Sequence, residues 1–332
     1  MKKLNWGILS TARIGREKVI PALQNGQFCH VSAVASRSLD KARQFADEMG
    51  ITKAYGSYEE LFADPEIDAI YNPLPNDQHV ATTLAAARAG KHVLCEKPFA
   101  LNAHEAEALR EVAGKVHIME AFMVRFHPQW LRARELVRSG VLGDLRTVQA
   151  FFSYFNRQPD NIRNRPEVGG GAIYDIGCYA IVAGRYLFES EPLRVITLID
   201  QDPEFLTDRT ATAILDFGDG RRLDFTVSTQ SVPYQRVQAI GTKQRLELEI
   251  PFNAPLGGAT RIFVDDASAP GGASAVAETI APCNMYTLQG DAFSQAVRGV
   301  IPLPYGLDDA ICNMRIIDAL FKSDHSGQWE AV

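Results

Sequence analysis

The stretch LNWGILSTARIG, residues 4 to 15, decides the fold. Its first six residues make an apolar run of strand length, and the next six are small or polar and lead into a helix-compatible continuation. Ser10, Ala12 and Gly15 stand at the spacing of the dinucleotide fingerprint, with serine and alanine where its first two glycines usually are. Small side chains there let the backbone approach a pyrophosphate, whose charge the N-terminus of the next helix attracts. An ordinary strand-to-helix turn reads the same way, so these residues permit a dinucleotide without requiring one.

Four more apolar runs follow: VSAVAS (31 to 36), IDAIYN (67 to 72), HVLCE (92 to 96) and VHIMEA (116 to 121). Helical patterns separate them. Ser57 with Glu60 and Asn102 with Glu105 mark helix starts, and Gly90 and Gly114 stand where helices stop. This alternation predicts an α/β Rossmann unit, a doubly wound parallel sheet, over residues 1 to 121. After residue 122 the pattern changes. A bridging helix in MVRFHPQWLRARELVRSG (123 to 140) leads to strands at TVQAFFSYF, LRVITLID, DRTATAILDF, RRLDFTVSTQ, YQRVQAIG, RLELEI and TRIFVDD. Short turns such as Gly218-Asp219-Gly220 leave no room for crossover helices, so residues 122 to 332 are expected to form an α+β domain on a large, mainly antiparallel sheet. Helices near 286 to 299 and 306 to 322 close the chain. One face of DRTATAILDF carries small and hydroxylated residues, suiting water or another subunit.

At 332 residues, 46% hydrophobic and 22% charged, the chain is large enough for two cores. A net charge of -6 with scattered basic residues argues against a nucleic-acid partner. The five cysteines have neither disulfide nor zinc spacing, and fit reduced thiols. The N-terminus is too polar for a signal peptide and no later window is long enough to span a membrane, so a cytoplasmic location is expected. His79, His92, His104, His117 and His127 lack ligand spacing, and no metal is expected.

Ligands of doubly wound sheets sit beyond the carboxyl ends of the strands. At the end of the second strand an NAD site places an acid, whereas this chain has Ser36-Arg37 and no carboxylate until Asp40. A hydroxyl followed by a guanidinium suits a 2'-phosphate, so NADP is expected ahead of NAD. Lys97 follows the fifth strand directly, and Pro98 restricts its backbone. Further on, GGGAIYDIGCYAI (169 to 181) sets Asp175 and Tyr179 four apart, on one face of a helix. A capped helix with a tyrosine in the core is the plainer reading of that spacing.

Taken together, Gly7, Ile14-Gly15, Ser36-Arg37, Pro75-Asn76 with His79, Glu96-Lys97-Pro98, Glu120-Ala121 with Arg125, and Gly169-Gly170-Gly171 with Asp175, Gly177 and Tyr179 resemble the glucose-fructose oxidoreductase / inositol dehydrogenase / MocA family. The resemblance runs from residue 4 to about 187 and is nearest the dihydrodiol dehydrogenase and aldose or xylose dehydrogenase branch. It implies an NADP-dependent hydride transfer on a CH-OH carbon, with Lys97 and Tyr179 at the reacting centre, Asp175 orienting the lysine or a neighbouring sugar hydroxyl, and Glu96 helping to hold the loop. The cofactor site it implies takes in Ser10, Thr11, Ala12, Arg13, Ile14, Ser36, Arg37, Lys41, Pro73, Leu74, Asn76, His79, Glu96, Lys97 and Arg125. Arg163, Tyr154 and Phe155 are candidates for the substrate, although surface pairing and core packing serve such residues as well. An aldose oxidised to its lactone is the first expectation. A trans-dihydrodiol dehydrogenase, a reductase of a ketosugar such as anhydrofructose, and a non-catalytic NADP-binding regulator are the alternatives. The family also implies a homodimer or higher oligomer through the second sheet.

Overall fold

The computed structural model describes residues 2–332. The first six strands are β1 (Leu4–Leu9), β2 (Cys29–Ala35), β3 (Lys53–Tyr55), β4 (Ala69–Asn72), β5 (His92–Cys95) and β6 (Ile118–Glu120). They form one parallel sheet in the order β3-β2-β1-β4-β5-β6. The connecting helices are α1 (Ile20–Gln24), α2 (Leu39–Met49), α3 (Tyr58–Ala63), α4 (His79–Arg88) and α5 (Ala103–Glu107). Helix starts follow the sequence signals. Ser57 Oγ accepts from the Glu60 amide at 3.2 Å, and Asn102 Oδ1 accepts from the Glu105 amide at 2.9 Å. Each glutamate reaches back to the amide before the cap, Gly56 or Leu101, and not to that of the cap residue itself. Gly7 is needed for packing: a Cβ there would come within 3.0 Å of Leu61 Cδ1 on α3 and 3.1 Å of Ile70 Cδ1.

The second sheet begins after α6 (Pro128–Arg138) with β7 (Leu145–Phe155), and continues after α7 (Cys178–Phe188) with β8 (Arg194–Gln201), β9 (Asp208–Asp216), β10 (Arg222–Ser228), β11 (Gln230–Gly241), β12 (Arg245–Leu248), β13 (Thr260–Asp265) and β14 (Val276–Ile280). Next come α8 (Met285–Val297), α9 (Leu307–Ser326) and the two-residue strand β15 (Glu330–Ala331). The nine strands run in the order β14-β13-β12-β11-β7-β10-β9-β8-β15, antiparallel throughout except where β10 meets β7. That exception has a simple cause. The hairpin β9–β10 forms as the short turn requires, but its second strand docks beside β7, which runs the same way. Helix α7 lies against β7 and β10, and Gly184 permits it: a Cβ there would meet Leu223 Cδ2 at 2.9 Å. On the other face Leu198 and Ile214 are exposed.

Contacts divide the chain into two compact units, residues up to Met123 with Asn284–Met314, and Val124–Cys283 with Arg315–Val332. The segment carrying α8 therefore belongs with the parallel sheet, whereas the sequence alone left it with the second domain. Specific contacts hold it there. Trp6 Nε1 donates to Ser294 Oγ at 3.1 Å, Thr287 Oγ1 donates to the Ala22 carbonyl at 2.9 Å, and Asp291 accepts from the Gln27 and Phe28 amides. Trp6 and Phe293 are both fully buried and in ring contact.

His79 and His127 are buried and His92 is half-buried, and all three are held neutral. Burial pushes His79, His92 and His127 down to a pKa of about 4. The Nδ1 atoms of His92 and His127 each accept a backbone N–H, from His117 at 2.9 Å and Gln129 at 3.1 Å, so protonating them breaks a bond. Unfolded histidine titrates near ~6.5. Between that value and about 4 the unfolded chain binds more protons at these sites, so their contribution to stability is present at neutral pH and lost as pH falls through the window. Asp208, which burial raises to about 7, acts in the opposite sense. Urea unfolding is expected to show a midpoint clearly lower at pH 5 than at pH 7, with net uptake of about two protons; a midpoint that rises on acidification contradicts this.

Candidate active site

In the parallel sheet the strand order reverses direction between β1 and β4, which is where such sheets bind ligands beyond their carboxyl ends. Ser10 begins the turn after β1. Its amide donates to the Ala35 carbonyl at 2.8 Å, its hydroxyl accepts from the Ala12 amide at 3.2 Å, and its φ is +61°. A left-handed backbone is where glycine is at home, so the serine holds by its side chain a conformation that the usual glycine adopts at no cost. Gly15 opens a wide helical turn, Gly15–Val19, that leads into α1. A Cβ at Gly15 would touch only Ile20 Cδ1 at 3.7 Å, an ordinary contact, so packing does not demand the glycine. A bare backbone at a helix entrance fits the pyrophosphate of a dinucleotide.

The other sequence candidates of this unit are placed as follows. Thr11, Ala12 and Ile14 are half-buried, and Arg13 is exposed and paired with Glu17 at 2.7 Å. At the end of β2, Ser36 is buried with its amide on the Tyr55 carbonyl, while Arg37 and Lys41 are exposed. A hydroxyl and an exposed guanidinium with no acid beside them fit a 2'-phosphate. Pro73 and Leu74 are buried after β4, and Asn76 is half-buried. Arg125, beyond β6, is buried and falls in the second unit.

Lys97 is half-buried at the end of β5, and its bond to Pro98 is cis. Two groups hold this turn. Tyr71 on β4 donates to Glu96 Oε1 at 2.7 Å, and Glu96 Oε2 accepts from the Lys97 amide at 3.3 Å. Burial first, and then Glu96, push the Tyr71 phenol far up, so it stays a donor. His79 places Nδ1 2.8 Å from the Pro98 carbonyl and Nε2 2.7 Å from the Leu74 carbonyl. A neutral ring donates to only one of them, and burial outweighs the pull of both carbonyls toward the charged form. His79 thus ties the loop after β4 to the turn after β5.

The acid–base candidates of the second unit ride on a wide turn, Ile173–Gly177, continuous with α7. Asp175 Oδ2 accepts from Tyr154 Oη at 2.6 Å and from Arg163 Nε at 2.9 Å. The carboxylate raises the Arg163 pKa, and burial, followed by Asp175, raises that of Tyr154. Arg163 also feels the Tyr179 phenol. The Tyr179 ring is 7% exposed and packs against Phe152 and Phe252 at centroid distances of 6.1 and 5.7 Å. Tyr154 and Arg163 therefore gather on Asp175, whereas Phe155 is 63% exposed and it is Phe152, on the same strand, that meets Tyr179.

Each glycine of Gly169-Gly170-Gly171 has a physical reason. Gly169 has φ +78°, and a Cβ on Gly170 would lie 2.7 Å from the Arg163 carbonyl oxygen. Gly171, at φ +122°, leaves the space that the Asp208 carboxylate fills: a Cβ would come within 1.8 Å of Asp208 Oδ1. Asp208 is the residue that sequence reasoning missed. It shares the parity of the outward Thr210, Thr212 and Ile214 on β9, yet is only 5% exposed, so alternation gave no signal. Tyr71 was hidden differently, inside an apolar run.

Two family profiles match, "Oxidoreductase family, NAD-binding Rossmann fold" over residues 4–125 and "GFO/IDH/MocA C-terminal domain" over residues 130–247. A curated relative, D-xylose 1-dehydrogenase (NADP(+)) 2 of Haloferax volcanii, is 40% identical over 97% of this chain and 98% of its own. The chain belongs to the GFO/IDH/MocA oxidoreductase family. Trans-1,2-dihydrobenzene-1,2-diol dehydrogenase of Xenopus laevis is 35% identical over 73% of this chain and 74% of its own. Among solved structures, a 3-ketoreductase from Actinomadura kijaniata in complex with NADP and TDP-benzene superposes with a TM-score of 0.89, at 26% identity over 97% and 98% of the two chains. This GFO/IDH/MocA protein is thus an NAD(P)-dependent dehydrogenase acting on CH-OH groups, from the branch that holds xylose and dihydrodiol dehydrogenases. Among the described residues no cluster of three or more metal-ligating side chains occurs, and no helix is long and apolar enough to cross a membrane.

Proposed function

We propose that this oxidoreductase uses NADP to oxidise a neutral aldose at its anomeric carbon, giving the lactone. The likeness to an NADP-type xylose dehydrogenase over nearly the whole of both chains carries this reading, since the dihydrodiol dehydrogenase match covers only about three quarters of each. NADP, when bound, supplies the acceptor for the hydride. Tyr179 removes the hydroxyl proton in oxidation and returns it in reduction. A free phenol titrates near ~10, and a neighbouring cation is what favours the phenolate form of a tyrosine base. Lys97 hydrogen-bonds the substrate oxygen and stabilises the alkoxide-like charge. Asp175, held by Tyr154 and Arg163, keeps that guanidinium in place, and Glu96 fixes the lysine's turn.

An absorbance assay of nicotinamide reduction over aldoses, polyols and dihydrodiols tests this. Turnover is expected with a neutral aldose, falling about 10²–10⁴-fold in Tyr179→Phe and about 10²–10³-fold in Lys97→Ala. A dihydrodiol as the sole substrate, or full activity in either variant, overturns the corresponding assignment.

Ser36 and Arg37 support NADP ahead of NAD as the cofactor. NADPH is expected to bind more tightly than NADH, and Arg37→Ala to cost about 1–3 kcal/mol with NADPH and little with NADH. Equal affinity of the unaltered protein for both cofactors contradicts the preference.

The open face of the nine-stranded sheet, with Leu198 75% exposed and Ile214 39% exposed, supports a homodimer formed through that sheet. Light scattering is expected to give twice the chain mass, and Leu198→Asp to shift it toward the monomer. A monomeric unaltered protein rules the dimer out.

A further inference from the structure

We infer that Asp208 is a positioning residue for the proton-transfer side chain: seated in the volume Gly171 leaves empty, its carboxylate fixes the start of the turn that carries Asp175 and Tyr179. The inference rests on the proposed role of Tyr179 and adds a residue to it.

The wide turn Ile173–Gly177 enters with no cap from its own neighbourhood in sequence, because Ala172 at its start has no polar side chain. Asp208, some thirty-five residues on, takes that place. Its Oδ2 accepts from the Ile173 amide at 2.6 Å, and the Ala172 amide also reaches the carboxylate. An anion on the first free amides of a helix is favoured both by hydrogen bonding and by the helix dipole. Asp208 opens β9 and is paired across to Gln201, so the carboxylate is carried by the sheet and not by a loop.

On its other side the same turn is held by backbone. The Gly171 amide donates to the Arg163 carbonyl at 2.9 Å, and the Gly170 amide donates to the Arg165 carbonyl at 2.9 Å. Carbonyls of Arg163 and Arg165 thus hold Gly171 and Gly170, and the Asp208 carboxylate holds the two amides that follow them. Tyr179 lies six residues beyond Ile173, about 9 Å along a helix at ~1.5 Å per residue. A tilt at the entrance therefore moves the phenol by a comparable fraction of that length, and displacement of a reacting group by ~1 Å can cost about 10²-fold in rate.

The test uses the full-length protein, with D-xylose as the probe sugar or, should it not turn over, the best aldose of the screen. Steady-state kcat and KM are read for Asp208→Asn, Asp208→Ala, Gly171→Ala and Tyr179→Phe, with NADPH binding read by fluorescence on each. Asp208→Ala is expected to lower kcat about 10²-fold with NADPH affinity unchanged, a split that general unfolding would not give. Asp208→Asn, which keeps an oxygen facing the Ile173 amide, is expected to recover most of that loss. Should Asp208→Ala fail to fold, Gly171→Ala, which displaces the carboxylate instead of deleting it, is read in its place with the same expected fall. Full kcat in both Asp208→Ala and Gly171→Ala, with Tyr179→Phe inactive, overturns the inference and leaves the function standing. Full kcat in Tyr179→Phe removes the functional reading itself.

Discussion

The volume that a side chain at residue 171 would occupy is filled by the Asp208 carboxylate, and the entrance to the turn that carries Asp175 is built on that exchange. Without the glycine the carboxylate has no seat, and without the carboxylate the amides of Ala172 and Ile173 lose their acceptor. Beyond this entrance come the wide turn, the carboxylate of Asp175 accepting from Tyr154 and Arg163, and the ring of Tyr179 against Phe152 and Phe252. A buried acid is costly to keep charged. Here the cost is offset by several backbone donors at one helix end, although burial still raises its pKa to about 7.

The parallel sheet solves a different problem, that of bringing backbone close to a ligand. Glycine at position 7 lets α3 press onto β1, and Gly15 keeps side-chain bulk away from the helix entrance. Lys97 follows a buried strand, and its direction is set by neighbours on both sides, Glu96 through Tyr71 and Pro98 through His79. Glu96 and Lys97 set a charged pair directly ahead of Pro98. It is stable here because each of its neighbours is answered by a hydrogen bond from an adjacent strand or loop.

Much of this was legible in the sequence, for reasons that can be named. Strands such as β1 and β5 are continuous apolar runs because both of their faces are covered, and helix starts at Ser57 and Asn102 are written in side-chain chemistry. What stayed hidden depended on distance along the chain. The three-residue strand β3 and the two-residue β15 are too short to show a period. The return of α8 to the first sheet is carried by Ser294, Thr287 and Asp291, whose partners lie 263 to 288 residues away. The parallel meeting of β10 with β7 cannot be read from turn lengths, which specify only the hairpin. In the site, the glycine-rich segment stood out, but its reason lay in Asp208, whose parity on β9 marks it as outward-facing while its burial comes from another element. Tyr154 and Arg163 were singled out for a substrate, and the structure brings both to Asp175.

The claim on which the functional account rests is that a hydride leaves the anomeric carbon of an aldose. The most direct measurement follows the label: incubate the protein with oxidised NADP and an aldose carrying deuterium at that carbon, then examine the reduced nicotinamide by NMR. The account predicts deuterium on one face of the nicotinamide ring together with formation of the lactone. Reduced cofactor without deuterium, or lactone formed with the label lost to water, would contradict it.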